Sequence, residues 1–578
     1  MTFSKLSEYL QKLEKTASRN EITQILAGLF KDASSGEIDK ICYLVLGRVA
    51  PQYTGIEFNF AEKMMIRAIG YAYKKEIETV TEKFKNIGDL GDVAEKFAEQ
   101  SKFKSKTSVS EVYDLLRKVA AEGGEKSQER KLTLIAELLS EVDPLSARYI
   151  ARIPVGKLRL GFSDVSMMDA LSVMEVGDKS ARKKIEAAYN VFVDIGKIAQ
   201  RIKKEGLTGV EKVDAEPGVP IRPSLAERLP SAEKIVEKMD GRFAVEPKLD
   251  GFRVQLHVWG SSDKREVKIF SRNLENVTHM YPDLVDAASK LHVKSGIFDG
   301  EAIGYNSKTG KFVPFQETVQ RKRKYGIEEM AKSIPLKVFV FDSLFLNGKT
   351  LLTVPFRERR ELMEKELGGE KGDIVLAQHH IVTEADKLRE LFNNCIKDGL
   401  EGIVAKKLDA PYRAGGRGYH WVKFKKTTEG KITDTIDCVL MGAYRGRGKR
   451  AQFGLGAFLI GVPGKGEKYY SISRLGTGLS DEQFRQMYKE VEKLKVEDKP
   501  NTYEVDKEAE PDVWVRPQLV LEILADEISL SPRHTAGRDK SRGYSLRFPR
   551  LIRVRDDKNP DQATSVGEIA KLYKIQKG

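Results

Sequence analysis

The stretch Val245-Glu-Pro-Lys-Leu-Asp-Gly-Phe-Arg253 places a lysine in a setting that suits chemistry better than a hydrophobic core. If the segment is a strand that runs into a turn, Glu246, Lys248 and Asp250 share one face, because side chains alternate along a strand. Gly251 then permits the turn. A lysine with the ordinary pKa of about 10.4 is almost fully protonated at neutral pH, so nearby cations or burial must raise its nucleophilic fraction. An exposed strand end with a surface salt bridge explains this segment alone about equally well.

The length of the whole chain predicts three or four domains, since 578 residues are too many for a single hydrophobic core. Hydrophobic residues make up 40% and charged residues 32% of the sequence, which indicates globular domains with highly charged surfaces. Lys and Arg number 99 against 85 Asp and Glu, and the resulting charge of +14 favours a polyanionic partner such as nucleic acid.

Cysteine usage and hydropathy indicate a reducing compartment inside the cell. The three cysteines, Cys42, Cys395 and Cys438, are odd in number and far apart, so they fit neither a disulfide framework nor a cysteine-rich metal site. The N-terminus lacks the long apolar core of a signal peptide, and no apolar run approaches the roughly 20 residues of a membrane helix. We therefore expect a cytoplasmic protein without a membrane partner.

The hydropathy pattern predicts three domains of different fold class. Residues 1–212 show apolar residues at helical spacing and little proline, which predicts an all-α domain. A polar linker that contains proline is expected near residues 205–220. Residues 213–428 are dominated by two-residue alternation, which predicts an α+β domain. Residues 429–578 combine about five short strands, glycine-rich turns and one helix, which predicts a small β-barrel of the OB kind.

Three basic segments are candidates for contacts with phosphate. The turn Gly156–Gly161 carries Lys157 and Arg159 ahead of a predicted helix, although a solvated basic loop explains it equally well. The predicted strand 421–425 places two lysines on one face, where a bound anion would relieve their repulsion, and a solvated edge strand is the alternative. The loop 444–450 is too basic for a dinucleotide loop and suits a nucleic-acid backbone. Its cationic candidates are Arg447, Lys449 and Arg450.

Carboxylates accompany these cations on the predicted strands of the middle region. The strand Gly296–Gly304 directs Asp299 and Glu301 to one side, and Glu401 begins another strand. Such carboxylates suit Mg²⁺, while lysine and arginine suit the oxygens of a polyphosphate. The sequence offers no cluster of His or Cys as a softer metal site.

Six motifs in order make the sequence resemble the ATP-dependent DNA ligases of the archaeal and eukaryotic-nuclear type, within the covalent lysyl-nucleotidyltransferases. The motifs are Lys248-Leu-Asp-Gly-Phe-Arg253, Phe298-Asp-Gly-Glu301, Val340-Phe-Asp342, Asp398-Gly-Leu-Glu-Gly-Ile-Val404, Trp421-Val-Lys-Phe-Lys425 and Arg555-Asp-Asp-Lys558. The resemblance spans nearly the whole chain. It implies a multidomain protein with an all-α N-terminal DNA-binding domain, an α+β adenylation domain with antiparallel sheets and a C-terminal OB-fold β-barrel.

The resemblance also implies a reaction in three steps. ATP first adenylates a lysine of the enzyme, the AMP then passes to the 5′-phosphate at a nick in duplex DNA, and the 3′-hydroxyl finally displaces AMP. ATP would be the co-substrate and Mg²⁺ the cofactor, in replication, repair and recombination. The expected form is a monomer that encircles nicked DNA.

Residue roles are implied at the positions that match the motifs. The implied catalytic residues are Lys248 as nucleophile, Asp250, Lys423 and Lys425. The implied ATP contacts are Glu246, Arg253, Arg272, Glu301, Phe341, Arg417 and Lys423. Among them Glu246 would accept a hydrogen bond from the adenine amino group, and Phe341 would stack on the ring. Fixed cations beside the α-phosphate make sense because negative charge builds on its nonbridging oxygens.

Further roles concern the metal, pyrophosphate and DNA. Glu301 and Glu401 would hold Mg²⁺. The residues that would orient pyrophosphate are Arg555, Asp557 and Lys558. The expected DNA contacts are Lys157, Arg159, Arg447, Lys449 and Arg450. The segment Gln100–Phe103 lies where relatives can carry a sliding-clamp binding segment, with one aromatic residue where they often have two.

Related enzymes offer alternatives. An mRNA guanylyltransferase or an RNA ligase shares the lysine motif but has no need of the long helical N-terminal region. A non-catalytic nucleic-acid binding protein on a decayed ligase scaffold is a further alternative, yet none of the six motifs has lost a charged residue. Use of ADP, GTP or NAD⁺ instead of ATP, and of Mn²⁺ instead of Mg²⁺, stays open at this point.

Overall fold

The computed structural model describes residues 1–16, 18–101, 107–158, 160, 162–229, 231–261, 264–306, 309, 311–323, 326–368, 372–425, 435–446, 454–476, 479, 481–539, 541–555 and 557–577. The chain divides into two compact units, Met1–Lys423 and Phe424–Gly578. Within the described ranges, every helix is too short or too polar to span a lipid bilayer.

The N-terminal part of the first unit is helical, as predicted. Its helices are α1 (Phe3–Glu14), α2 (Arg19–Asp32), α3 (Ile38–Val45), α4 (Glu62–Tyr73), α5 (Ile77–Ile87), α6 (Leu90–Ala98), α7 (Val109–Ala121), α8 (Ser127–Glu141), α9 (Pro144–Arg152), α10 (Asp164–Val176), α11 (Arg182–Val191), α12 (Ile195–Glu205) and α13 (Thr208–Glu211). Their apolar stripes meet in one hydrophobic core. Local signals fix several helix starts, including a capping box of Ser108 and Glu111 at α7. Ser163 holds the N-cap position of α10, but its side chain makes no capping hydrogen bond.

The middle region combines strands with helices. The strands are β1 (Leu225–Arg228), β2 (Phe243–Lys248), β3 (Phe252–Trp259), β4 (Glu266–Ser271), β5 (Gly296–Gly304), β6 (Leu336–Leu346), β7 (Lys349–Thr350), β8 (Ile374–Leu376), β9 (His380–Val382), β10 (Gly402–Lys407) and β11 (Arg417–Lys425). The helices are α14 (Ala232–Met239), α15 (Pro282–Ser289), α16 (Phe315–Thr318), α17 (Ile327–Ser333), α18 (Phe356–Leu367) and α19 (Ala385–Lys397). This is the expected α+β composition.

These strands form two sheets that are mixed rather than purely antiparallel. One has the order β1-β11-β10-β2-β9, and the other has the order β4-β3-β5-β6-β7 with β8 beside β6. The pairs β1–β11 and β6–β8 are parallel, which corrects the expectation of antiparallel sheets. The chain between β6 and β8 contains α18, and a crossover helix of this kind is what a parallel connection requires.

The predicted linker is fixed at its end. Gly218 donates its backbone N–H to His257 Nδ1 at 3.0 Å, and Gln255 exchanges two hydrogen bonds with the backbone of Ile221. Burial, with Lys268 adding to it, lowers the pKa of His257 to about 3, so the ring is neutral and can accept this bond. These hydrogen bonds therefore hold the end of the predicted linker against β3.

The second unit contains β12 (Ile436–Arg445), β13 (Leu455–Pro463), β14 (Tyr469–Leu475), β15 (Lys495–Val496), β16 (Tyr503–Glu504), β17 (Val513–Val515), β18 (Val520–Leu524), β19 (Glu527–Ser531), β20 (Gly543–Arg547) and β21 (Arg550–Val554), with α20 (Asp481–Leu494) and α21 (Val566–Lys577). The main sheet has the order β15-β17-β12-β13-β14-β16, with β18 between β12 and β21. β19 and β20 form a separate hairpin. The estimate of about five strands and one helix was too low, because strands of two or three residues leave no readable alternation. A closed barrel stays a prediction.

Candidate active site

The predicted nucleophile lies at the last position of β2. Lys248 Nζ is 2.6 Å from Glu401 Oε2, and their side chains are 24% and 21% exposed. Glu401 also donates its backbone N–H to the carbonyl of Lys248 at 3.0 Å. Gly402, which follows, pairs with Lys248 across the sheet and has φ +141°, a conformation that favours glycine. The sheet register therefore brings together two residues that were predicted from different motifs.

A second predicted carboxylate, Glu301, is partly buried on β5. Burial raises its pKa to about 7, Lys248 and Arg253 oppose the shift, and Glu401 and Asp250 add to it. These charged groups therefore act on one another at close range.

The turn after Lys248 passes this carboxylate closely. A Cβ at Gly251 would lie 2.2 Å from the carbonyl oxygen of Ala302 and 3.1 Å from Glu301 Cγ. The backbone carbonyl cannot yield to such a contact, so the turn requires glycine at this position.

Around Glu246, two residues before the nucleophile, a buried lysine and three aromatic rings lie close together. Glu246 is buried, and its Oε2 lies 2.7 Å from Lys406 Nζ. Its Oε1 is also buried and has no hydrogen-bond partner among the described residues. Lys406 Nζ donates to the carbonyl of Phe341 at 2.7 Å and lies 4.6 to 4.8 Å from the ring centroids of Phe341, Phe356 and Trp421. Burial raises the pKa of Glu246, although Lys406 opposes the shift.

Arg253 is held beside the same ring. Its Nε donates to Asp299 Oδ1 at 3.1 Å, and its Nη1 donates to the carbonyl of Ser224 at 2.7 Å. Tyr412 donates its hydroxyl to Asp299 Oδ2 at 2.6 Å, and the guanidinium carbon lies 5.3 Å from the centroid of Phe341. Asp299 therefore fixes the guanidinium of Arg253 beside the ring of Phe341.

The remaining predicted phosphate contacts are divided between the two sheets of the middle region. Arg272 follows β4 and is exposed, and Arg417 is exposed at the start of β11. Lys423 and Lys425 are partly exposed further along β11. β10 separates β11 from β2, and adjacent strands are about 4.8 Å apart, so Lys423 and Lys248 lie on strands about 10 Å apart.

Two carboxylates near Lys248 fit a Mg²⁺ ion. In the part of the chain that the structure describes, no three His, Cys, Asp or Glu side chains come together as a complete metal cage. Mg²⁺ in phosphate-transfer sites commonly binds one or two carboxylates and completes its shell with water and substrate oxygens. Glu301 and Glu401 offer such a pair, and the raised pKa of Glu301 reflects a carboxyl group that a cation would help to ionise.

The last motif lies in the second unit and surrounds a carboxylate that we did not predict. Lys558 Nζ is 2.6 Å from Asp437 Oδ2, and Arg555 Nη1 is 3.3 Å from Asp437 Oδ1. Arg555 also makes a bidentate contact with Asp557, at 2.8 and 2.7 Å. The three predicted residues therefore form one charged cluster with Asp437.

The predicted DNA contacts are only partly described. Lys157 is 48% exposed, its Nζ lies 3.8 Å from Glu62 Oε1, and Gly156 before it has φ +67°. The other basic candidates lie outside the described residues: Arg159, Arg447, Lys449 and Arg450. The segment Gln100–Phe103, where we expect a sliding-clamp contact, is likewise described only as far as Ser101.

Sequence reasoning missed Lys406, Tyr412 and Asp437. Lys406 and Asp437 did carry a signal, because each adjoins a run of apolar residues on its strand, where an unpaired charge is costly. Tyr412 carried none, since it lies in an irregular segment and binds Asp299 across a long sequence separation.

Comparisons with known proteins show to which family the chain is similar. Residues 2–172 match the family described as DNA ligase N terminus, residues 223–425 the ATP dependent DNA ligase domain, and residues 451–558 the ATP dependent DNA ligase C terminal region. The protein named Probable DNA ligase from Dictyoglomus turgidum is 45% identical over 582 residues, which cover all of this chain and 98% of that protein. The protein named DNA ligase from Saccharolobus solfataricus is 38% identical over 597 residues with the same coverage. The solved structure titled Pmar-Lig_Pre shares the fold, with a TM-score of 0.54 at 18% identity over 96% of this chain and 99% of that one.

Proposed function

The chain belongs to the family of ATP-dependent DNA ligases, and from that premise we propose that it seals nicks in duplex DNA through an AMP adduct on Lys248. One observation carries the choice of residue. Glu246 lies two residues before Lys248 on the same strand, and one of its buried carboxylate oxygens has no hydrogen-bond partner among the described residues. Lys406 contacts its other oxygen and also the carbonyl of Phe341. A base bound there would bring its α-phosphate toward the lysine amine.

The pocket favours adenine over guanine. Glu246 Oε1 is an acceptor without a donor, and the exocyclic amino group of adenine supplies one. Guanine would place a carbonyl oxygen at that position, and two acceptors repel. Phe341 would stack on the base, and Lys406 would keep the carboxylate of Glu246 in place through its contact with Oε2. This arrangement supports ATP as the co-substrate.

The residues around Lys248 can accept the proton of its amine and stabilise the negative charge that develops on the phosphate oxygens. Glu401 holds the amine at the end of β2 and is an acceptor at hydrogen-bond distance for the proton that the amine must lose. Mg²⁺ bound to Glu301 and Glu401 would supply charge neutralisation at the phosphate oxygens. Arg253, Arg272, Arg417, Lys423 and Lys425 would contact the ribose and phosphates, and Asp250 would assist at the turn. Attack on the α-phosphorus forms the P–N bond and releases pyrophosphate.

The other parts of the chain complete the proposal. We assign residues 1–212 to DNA binding, 213–428 to adenylation and 429–578 to a closed OB-fold barrel. Arg555, Asp557 and Lys558 would orient pyrophosphate. The DNA contacts would be Lys157, Arg159, Arg447, Lys449 and Arg450. We further propose a monomer in the cytoplasm, with a sliding-clamp contact at Gln100–Phe103 that co-elution with the cognate clamp would test.

Transfer of label from ATP tests the central claim. The purified chain is mixed with α-³²P-ATP and Mg²⁺ and denatured, and we expect a labelled protein that Lys248→Arg abolishes, because a guanidinium stays protonated and is not a nucleophile. Lys234→Arg, an exposed position on α14, is the matched control and should label normally. A label that survives Lys248→Arg would refute the assignment.

A sealing assay separates the related activities. The same enzyme is given a nicked DNA duplex or a nicked RNA, with ATP, GTP or NAD⁺ supplied separately. We expect sealing of DNA with ATP. Sealing of RNA alone, or labelling by GTP in preference to ATP, would favour an RNA ligase or a guanylyltransferase, and binding without labelling would favour a non-catalytic protein.

A further inference from the structure

The two cations of the last motif share one buried carboxylate. Asp437 lies on β12 with its side chain only 9% exposed, and Lys558 Nζ contacts its Oδ2 at 2.6 Å. Arg555 Nη1 approaches both oxygens of the same group, at 3.3 and 3.4 Å. The two cationic side chains are thus drawn together at a single anion, against their mutual repulsion.

Other carboxylates in the cluster do not join this pair of cations. Asp557 contacts Arg555 alone among the described residues and is 59% exposed. Glu522 contacts Arg553 at 2.6 Å and lies 4.0 Å from Arg555. Asp437 is therefore the carboxylate that both Arg555 and Lys558 contact.

The backbone of Asp437 is fixed independently of its side chain. Its N–H donates to Thr564 Oγ1 at 3.0 Å, and its carbonyl accepts from the N–H of Thr564 at 3.0 Å. β12 also pairs with β18 through Asp437 and Glu522. Because these bonds do not involve the carboxylate, we expect β12 to stay in place when the carboxylate charge is removed.

We propose that Asp437 is a positioning residue for self-adenylation, which gathers Arg555 and Lys558 into a pair able to engage the pyrophosphate of ATP. The inference rests on the proposed function of those two cations. Pyrophosphate is a compact polyanion, so two cations held side by side bind it better than two that repel one another and separate. Asp437 itself touches no substrate and acts only through the two side chains.

Asp437→Asn in the full chain tests this role, because it removes the charge and keeps the shape. We expect self-adenylation by ATP, and its reversal by added pyrophosphate, to slow by on the order of tenfold to a hundredfold. The reversal breaks the P–N bond of the lysyl-AMP and regenerates ATP, so it reports pyrophosphate binding directly. Sealing of a nick that already carries AMP should change by less than about twofold, since pyrophosphate takes no part in it.

Asp526→Asn is the matched control. Asp526 lies in the same unit, its carboxylate contacts Arg550 at 2.7 Å, and Arg550 belongs to no proposed site. This variant should leave both assays unchanged. Equal loss in the two assays for Asp437→Asn, no loss in either, or faster self-adenylation would each overturn the proposal.

Two further measurements are needed, one for the case that Asp437→Asn does not fold and one to separate this inference from the proposed function. If Asp437→Asn loses its cooperative thermal unfolding, Asp437→Glu takes its place, since it keeps the charge but moves it by one methylene and should give a smaller loss confined to the pyrophosphate steps. Labelling of the unaltered chain separates the two claims. Absence of any label from ATP would refute the proposed function, whereas normal labelling with an unaffected Asp437→Asn refutes this inference alone.

Discussion

The site around Lys248 and the cluster around Asp437 are built from the same kinds of side chain, but they differ in how completely their charges neutralise one another. Beside Lys248, one buried oxygen of Glu246 has no hydrogen-bond partner in the part of the chain that the structure describes, and burial raises the pKa of Glu301 to about 7. Beside Asp437, each cation of the last motif contacts a carboxylate within 3.5 Å. A ligand that brings a hydrogen-bond donor and a cation would stabilise the first site, whereas the cations of the second are already paired.

The carboxyl groups of the two regions show the same difference in their pKa values. Hydrogen bonds from Arg555 lower the pKa of Asp557 well below its usual range, whereas burial raises the pKa of Glu246 despite the contact with Lys406. A carboxylate that is already paired resists protonation and holds its cation. A buried one with a free oxygen gains from a new donor.

The largest effect is expected from removing Arg555 and Lys558, the two cations of the cluster around Asp437. Arg555→Ala with Lys558→Ala should slow self-adenylation by about a hundredfold, because pyrophosphate would leave without fixed cations beside it. Sealing of a nick that already carries AMP should be far less affected, since that step involves no pyrophosphate. The two rates are measured by single-turnover assays on the same preparation. Equal loss in both would show that the cluster serves the whole reaction and not one step.

The next effect concerns the unpaired oxygen of Glu246. Glu246→Gln keeps the shape, and if its carbonyl oxygen stays on Lys406 Nζ, its amide donor faces the position that Oε1 now occupies. We expect the ratio of labelling efficiencies for ATP over GTP to fall by about fivefold to 150-fold, the range given by about 1–3 kcal/mol for a buried polar group without its partner.

The control for this change is Glu266→Gln, an exposed position on β4 in the same region. It should leave the ratio of ATP to GTP unchanged. An unaltered ratio in Glu246→Gln would mean that the base is recognised elsewhere and that the unpaired oxygen has another use.

A moderate effect on stability is expected at Glu301. Its folded pKa of about 7 lies above the ordinary value of 4.5, so the folded state favours the protonated form. This contribution is fully present below about pH 4.5 and is lost as the pH rises through 7. Glu301→Gln mimics the protonated group and should therefore raise the melting temperature of the metal-free protein by roughly 1–3 °C at pH 8, with little change at pH 5. Equal melting temperatures of the two proteins at pH 8 would contradict the assigned pKa.

Much of the fold followed from local sequence patterns. The strand Gly296–Gly304 has the predicted bounds. Strands of two or three residues, such as β15 and β16, were missed because they are too short to show a period. The parallel pairing of β6 with β8 was missed because it depends on where the chain returns after α18.

The site was predicted where a motif names a residue and missed where partners meet across the fold. Lys248, Glu301 and Glu401 were predicted from separate motifs and lie close together. The contact of Lys558 with Asp437 spans 121 residues, and that of Tyr412 with Asp299 spans 113. Such contacts depend on strand register, which one sequence does not reveal.

The smallest effect is expected at Lys157. Unlike the buried oxygen of Glu246, it has a charged partner among the described residues, but that partner is farther away than the partner of Lys558. Its Nζ is 3.8 Å from Glu62, against 2.6 Å between Lys558 and Asp437, and its side chain is half exposed. A cation held this weakly can turn to a DNA phosphate at little cost. Lys157→Ala should weaken binding of nicked duplex by a few-fold and lower the slope of log affinity against log salt by about one.

The matched control for Lys157 is Lys184→Ala, in which the lost lysine contacts Glu211 on the same helical region at hydrogen-bond distance. Because Lys184 already has a close partner and belongs to no predicted DNA contact, its removal should leave the salt slope unchanged. If Lys157→Ala binds nicked DNA at low salt as tightly as the unaltered chain, the turn at Gly156 is a solvated loop. Weak pairing would then be a poor guide to phosphate contacts, and only the unpaired oxygen of Glu246 would retain its value as a sign of ligand binding.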